Sequence, residues 1–331
     1  MNIKSFICAA TASLLLSGAA LADYPDHNIQ GVIQWGAGGS TDTVTRTVTK
    51  LAEQHLGEEI VLVNKPGGTG VIATTYVNSR PSDGYTLLFG AENPQLYGVL
   101  GLSKLDYRDF YPVNVLARNI AVVLTHNDAP WNTLTELVAD AQAKPDSIKM
   151  ASTGPGGLSF VVEKMLQGVT DFDVRSVPFD GTGPGVTALL GGHVDFMPVG
   201  LSAARENIRA GRAKALAVIS DVPVEGFEGV PLITELYPEF KKYLPWGPFY
   251  GVFIKKDAPE DVKIKLTEAF HKAVNEPEFQ TFLDNFGAIR VDLSANEADA
   301  WLNHWQSVTS WLLHDAAATK ASPQEFNIPK P

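Results

Sequence analysis

Cysteine is almost missing from these 331 residues: there is one, Cys8. Everything after it must therefore hold together by core packing without disulfides, and neither a thiol nucleophile nor a thiolate metal site is available. Positive charge is also scarce, with 26 Lys and Arg against 37 Asp and Glu and a net charge of −11, which argues against nucleic acid and anionic lipid as partners. No apolar run is long enough to span a bilayer, so direct membrane insertion is not expected. The seven histidines are scattered without H-x3-H, H-E-x-x-H or Cys/His spacing, so no metal is expected. The G-x-S-x-G elbow of serine hydrolases does not occur either.

The first 22 residues read as a secretory signal: Lys4, a short apolar core over 6–16, and the small pair Ala20 and Ala22 at a cleavage site before Asp23. Cys8 lies inside that leader. Because the leader holds one lysine and no acid, the remaining 309 residues carry −12, and their number suits two domains of ordinary size. Apolar runs alternate with helical periodicity, the mark of α/β architecture with mostly parallel sheets. Strands are expected at 29–35, 59–64 and 86–90, then at 120–126, 148–152, 174–179, 194–199 and 213–220, and again at 246–256. Helices are expected at 40–57, 71–78, 133–143, 158–168, 184–191, 201–211, 260–274, 276–286 and 295–317. The stripe Trp301, Leu302, Trp305, Val308, Leu312 and Leu313 on the last helix reads as core or inter-domain packing, and the tail after Thr319 as extended.

Three strand-to-helix turns are rich in glycine: WGAGGSTDT at 35–43, STGPGGLS at 152–159 and FDGTGPGV at 179–186. Such turns direct unpaired backbone N–H groups outward with the positive end of a helix dipole behind them, which suits an anion. Each adds hydroxyls, from Ser40 and Thr41, from Ser152 and Thr153, and from Thr182. In open α/β sheets ligands bind beyond the carboxyl ends of strands, where these turns gather. Two anion-accepting lobes describe a clamp for a carboxylate. Asp42, in the first turn of its helix, reads as a cap and dipole complement. A P-loop is excluded because Gly39 stands where its lysine belongs. GTGVIA at 68–73 matches the G-x-G-x-x-A dinucleotide pattern but lacks an acidic residue on a second strand tip about 20 residues on.

In order and spacing, the segments WGAGGSTDTVTR, VNKPGGTGVIA, SDGYTLLFG, DFYPVNVLA, ALLGGHVDFM and AGRAKALAVIS resemble the extracytoplasmic solute receptors of the tripartite tricarboxylate transporters, the TctC-like or Bug family. The resemblance implies a two-lobe periplasmic binding protein type II fold with its ligand cleft between the lobes. Lobe 1 would comprise 23–122 plus 246–331 and lobe 2 would comprise 123–245. It implies a periplasmic, monomeric, non-enzymatic receptor without cofactor. Such a receptor captures a di- or tricarboxylate or an aromatic acid and delivers it to a permease of large and small subunits. The ligand-binding residues would be Trp35, Ala37, Gly39, Ser40 and Thr41 on lobe 1 and Ser152, Thr153, Gly154, Gly156 and Thr182 on lobe 2, with Asn93, Gln95 and Trp246 selecting the rest of the ligand. Departures from the family pattern are Gln34 before Trp35, expected to alter the pocket floor, and AENPQ at 91–95, where Glu92 reads as a cap or a solvent-facing residue, with an amino or hydroxyl group of the ligand as its alternative partner. Two other readings stay open: a carboxylate sensor feeding a signalling partner and, with less support, a dinucleotide-dependent enzyme.

Overall fold

The computed structural model describes residues 24–179 and 181–331; the expected secretory signal lies outside them. The chain begins with β1 (Ile29–Ile33), α1 (Ser40–Leu56), β2 (Ile60–Asn64), α2 (Val71–Asn78), β3 (Thr86–Gly90), α3 (Tyr97–Leu100) and β4 (Phe110–Asn119). It continues through β5 (Ala121–His126), α4 (Leu134–Ala143), β6 (Lys149–Ser152), α5 (Leu158–Gln167), β7 (Arg175–Pro178), α6 (Thr182–Leu190), β8 (Phe196–Gly200), α7 (Leu201–Arg209), β9 (Ala213–Ile219) and α8 (Ile233–Leu236). It ends with β10 (Phe249–Lys255), α9 (Glu260–Asn275), α10 (Pro277–Phe286), β11 (Ala288–Leu293) and α11 (Ala295–Asp315).

These strands form two sheets, ordered β11-β4-β10-β3-β1-β2 and β7-β6-β8-β5-β9. In the first, β1 pairs in parallel with β2 and β3, whereas β10 runs antiparallel to β3 and β4. In the second, β6 is parallel to β7 and β8, and β5 is antiparallel to β8 and β9. The architecture is thus α/β with two sheet-centred lobes. The chain leaves the first sheet at Asn119, enters the second at Ala121 and returns at Phe249.

Two strands differ from expectation by being present at all. β4 contains Pro112, Asn114, Arg118 and Asn119, which break the apolar alternation of a buried strand, yet it lies between β10 and β11. Its polar side chains are accommodated singly: Asn114 Nδ2 donates to Asp292 Oδ1 at 2.8 Å. The short β11 sits between two strong helical patterns and is bulged against β4. The expected strand 246–256 begins later, because Trp246 turns away to pack on α11.

The stripe on α11 is core: Leu302, Trp305, Leu312 and Leu313 are buried, and Trp305 Nε1 donates to the Gly247 carbonyl at 3.0 Å. The C-terminal tail is docked rather than free. A 3-10 turn at Pro323–Phe326 packs near α3, while the carbonyls of Ile328 and Pro329 accept from Trp311 Nε1 and Ser307 Oγ. The GTGVIA segment also has a packing role. Gly70 adopts φ +88, and a methyl there would overlap the Gln34 side chain. Gln34 itself is fully buried, donating to Tyr97 Oη at 2.8 Å and accepting from Ala91 N–H at 2.9 Å. It therefore braces lobe 1 and forms no pocket floor.

The two crossovers abut. Asn119 N–H donates to the Pro248 carbonyl at 2.7 Å, and a methyl on Gly247 would overlap the Asn119 backbone oxygen. Gly247→Ala should therefore cost about 1–3 kcal/mol, since backbone cannot swing aside as a flexible side chain does. The urea midpoint should fall accordingly, and an unchanged midpoint would show that the crossovers separate freely.

Candidate functional site

A cavity of about 330 Å³ opens between the two sheets, at the carboxyl ends of β1, β3, β6, β7 and β8. Its volume lies at the small end of the range for ligand sites. Its wall is made by the three glycine turns together with residues from the crossovers. From the first turn come Trp35 to Thr41, from the second Thr153, Gly157 and Leu158, and from the third Gly181 to Pro184; Ala91, Glu92, Asn119, Gly200, Pro248 and Tyr250 complete it.

The chemistry of the wall follows from how the helices begin. The N-cap residues of α1, α5, α6 and α7 are Gly39, Gly157, Gly181 and Gly200, and none supplies a side-chain cap. All four line the cavity. The first N–H of α7 is taken by the Ile120 carbonyl at 2.8 Å. At α1, α5 and α6 the opening N–H groups are left to whatever occupies the cavity. Each helix end favours an anion by about 0.3–1 kcal/mol when exposed and about 2 kcal/mol when partly buried. Among the described residues no Lys, Arg or His lines the cavity, so backbone dipoles are the positive features of its wall.

The first turn is held rigidly from behind. Asp42 accepts from Gly38 N–H, Arg46 Nε and Asn64 Nδ2, each at 2.9 Å, and Asn64 Nδ2 also donates to the Trp35 carbonyl at 2.8 Å. Burial works against its charge, but Arg46, the Gly38 N–H and Asn64 together hold the Asp42 carboxyl below its usual value. Asp42 is thus a brace for the glycine turn, as its place in the helix suggests.

On the crossover side, Asn119 links both lobes. Its Nδ2 donates to Tyr250 Oη at 3.0 Å and to Ser202 Oγ at 3.1 Å, and its Oδ1 accepts from Ile120 N–H. Ser202 Oγ lies 3.4 Å from Ser40 Oγ, so the start of α1 touches the start of α7 across the cleft. Burial pushes the Tyr250 phenol up, keeping it a neutral donor or acceptor.

Of the residues expected from sequence, Trp35, Ala37, Gly39, Ser40, Thr41, Thr153 and Thr182 meet at this cavity. The others lie behind it or elsewhere. Ser152 is buried with its hydroxyl accepting from Gly154 N–H at 3.3 Å, which shapes the second turn. Gly154 and Gly156 supply its positive φ values, +89 and +79. Asn93 is buried and donates to the Gly156 carbonyl at 3.0 Å, tying lobe 1 to lobe 2. Gln95 is committed to the Leu302 carbonyl at 2.7 Å. Trp246 is buried against Trp305 and donates to Thr309 Oγ1 at 3.1 Å. Asn93, Gln95 and Trp246 are therefore spoken for as packing residues. Phe249, beside them, is fully buried between Tyr107 and the α11 tryptophans.

Sequence reasoning missed Asn119, Tyr250 and Pro248, because β4 was not legible as a strand and the crossover geometry had no local signal. It also misjudged Glu92, which is only 4% exposed, lines the cavity and leaves Oε2 without a hydrogen-bond partner. Burial pushes its carboxyl up to about 7, against the opposing pull of the Glu92 and Phe249 backbone N–H groups.

The model of the tripartite tricarboxylate transporter family receptor matches residues 44–305. The chain belongs to that family. BugT of Bordetella pertussis strain Tohama I is 30% identical over 285 residues, covering 83% of this chain and 85% of BugT. Among solved structures, periplasmic binding protein BugD superposes with a TM-score of 0.83 at 27% identity, covering 90% of this chain and all of BugD. MatC of Rhodopseudomonas palustris, solved with bound malate, gives a TM-score of 0.78 at 27% identity, covering 88% of this chain and 100% of MatC. The family is one of periplasmic solute-binding receptors. Among the described residues, no helix is long and apolar enough to cross a membrane.

Replacing Asp42 with Asn should destabilise the protein by about 1.5–3 kcal/mol at pH 7, the usual worth of hydrogen bonds to a charged group. Because the folded-state pKa is lowered, this contribution is present above pH 4 and vanishes as pH falls through it. In urea titrations of both proteins from pH 7 to pH 2.5 the gap should narrow toward the acid end; a constant gap would show that the charge of Asp42 is not what braces the turn.

Proposed function

We propose that this chain is a non-enzymatic receptor that captures a small carboxylate in the cleft and delivers it to a membrane permease of large and small subunits. The observation that carries the reading is the convergence of uncapped, glycine-headed helices from both lobes on one cavity that has no basic side chain among the described residues. Backbone donors of Ala37, Gly39, Ser40 and Thr41 hold a carboxylate from lobe 1, and those around Thr153, Gly157, Thr182 and Gly183 hold it, or a second anionic group, from lobe 2. The hydroxyls of Ser40, Thr41, Thr153 and Thr182 add donors, and Trp35 and Tyr250 flank the ligand body.

Residues 1–22 direct export and are removed, and the mature protein acts as a monomer in the periplasm. The lobes divide as 23–122 plus 246–331 and 123–245. Movement about the abutting crossovers at Asn119 and Gly247 closes the cleft, and the closed shape is what the permease reads. The malate bound by MatC, a relative at 27% identity, supports a di- or hydroxycarboxylate as the first class to examine; tricarboxylates and aromatic acids follow.

The test is a thermal-shift series on residues 23–331 with malate, succinate, citrate, benzoate and NAD. A ligand at about a hundred times its dissociation constant adds about 2.7 kcal/mol to stability, so a carboxylate should raise the melting temperature while NAD leaves it unchanged. Gly183 provides the matching variant, since it lines the cavity and a Cβ there meets nothing within 4 Å. Gly183→Val should lower carboxylate affinity more than tenfold and barely move the melting temperature of the unliganded protein. Retained affinity would remove α6 from the site, and silence toward every carboxylate would contradict the proposal.

A further inference from the structure

Among the described residues, Glu92 is the one acidic side chain in the cavity wall. It follows β3 at the head of a 3-10 turn, Asn93–Leu96, and its own side chain caps nothing there. Among the described residues its surroundings supply no cation. The titratable groups facing it are Tyr250 from β10 and Tyr107 from the turn before β4, and both phenols are kept neutral by burial. Tyr107 Oη is itself committed to the Ala91 carbonyl at 2.6 Å. The neighbouring Asn93 amide points to Gly156, and Tyr250 Oη accepts from Asn119. Glu92 is thus a buried carboxyl with one oxygen unpartnered, an arrangement that costs free energy unless something entering the cavity completes it.

The rest of the wall is electropositive by virtue of helix ends, so the cavity is bipolar: backbone N–H groups for an anion and a carboxylate for a cation. The geometry points to Glu92 as a specificity subsite for a protonated amine, so that the preferred ligands are small aminocarboxylates rather than simple carboxylates. This rests on the carboxylate-receptor reading above and narrows it. A dicarboxylate lacking the amine would bring a second negative charge into a cavity that already holds an acid. An ammonium group supplies both the counter-charge and the donors that Oε2 lacks, and the ligand's carboxylate remains for the helix ends. Burial, which favours the neutral acid in the empty site, is offset once the ammonium group is beside it.

The experiment is isothermal titration of the mature chain with three matched pairs: L-aspartate and succinate, L-glutamate and glutarate, 4-aminobutyrate and butyrate. The amine-bearing member of at least one pair should bind tenfold or more tightly than its partner. Glu92→Gln, which preserves shape, should erase that preference, weakening the amine-bearing member and relieving the repulsion that the amine-free dicarboxylate meets. Wild-type protein supplies an independent reading that needs no variant to fold. With a carboxyl that titrates near 7, affinity for the amine should rise about tenfold between pH 6 and pH 8 as Glu92 ionises. Preference for the amine-free partner, a preference that survives Glu92→Gln, or affinity that falls over that pH range would overturn the assignment while leaving a carboxylate receptor intact. The last result would make Glu92 a protonated donor to a second carboxylate. No binding by any of the six would overturn the assignment of Glu92, while the carboxylate-receptor reading falls only if malate, citrate and benzoate are silent too.

Discussion

An α-helix starts with backbone N–H groups that its own carbonyls cannot reach, and most helices satisfy them with a serine, threonine, aspartate or asparagine at the N-cap. Here the helices that face the cleft begin at Gly39, Gly157 and Gly181 instead, with no side chain in the capping role. By contrast, α4, which lies away from the cavity, has a full capping box from Thr133 and Glu136. The difference separates helix ends that are finished internally from ends that are left for a ligand. Much of the surrounding structure serves to hold those unfinished ends in place, from the Asp42, Arg46 and Asn64 brace behind the first turn to the Ser152 hydroxyl beneath the second.

The second constraint is how the two sheets meet. Among the described residues two stretches, at Asn119–Ala121 and between β9 and β10, carry the chain from one sheet to the other. They touch at Asn119 and Gly247, where glycine is required because no side chain fits against the opposing carbonyl. The Asn119 side chain then reaches Tyr250 and Ser202, so the same residue that joins the crossovers also builds the cavity wall. Further ties span the cleft: Asn93 to the Gly156 carbonyl, Ser40 beside Ser202, and Arg205 to the Asp284 carbonyl at 3.0 Å. Each is a single polar contact, modest enough to be exchanged when the lobes move.

The parts of this arrangement that are local in sequence were readable from it. Glycine turns between an apolar run and a helical run announce themselves, and α1, α4 and α5 follow the periodicity of their apolar residues closely. The parts that depend on distant partners were not. β4 hides behind Pro112, Asn114 and Asn119 because its polar groups are answered by residues such as Asp292, some 180 positions away. Asn93, Gln95 and Trp246 have the types and neighbourhood of ligand contacts, but α11 and the second glycine turn claim them. Gln34 likewise turns inward to Tyr97 and Ala91, and that inward turn explains Gly70. Glu92 was misread for the opposite reason: an acid after a strand is usually solvated, and its burial comes from side chains contributed by β10 and the turn before β4.

The most direct measurement is a proton–nitrogen correlation spectrum of the labelled mature protein during titration with whichever carboxylate binds most tightly. The amide protons of Ser40, Thr41, Leu158, Thr182 and Gly183 should shift downfield together, at one ligand per chain, because the carboxylate accepts from those N–H groups. If these amides stay still while shifts gather elsewhere, for example at the open groove near Thr135, Gln167 and Tyr237, then the unfinished helix ends are not what holds the ligand.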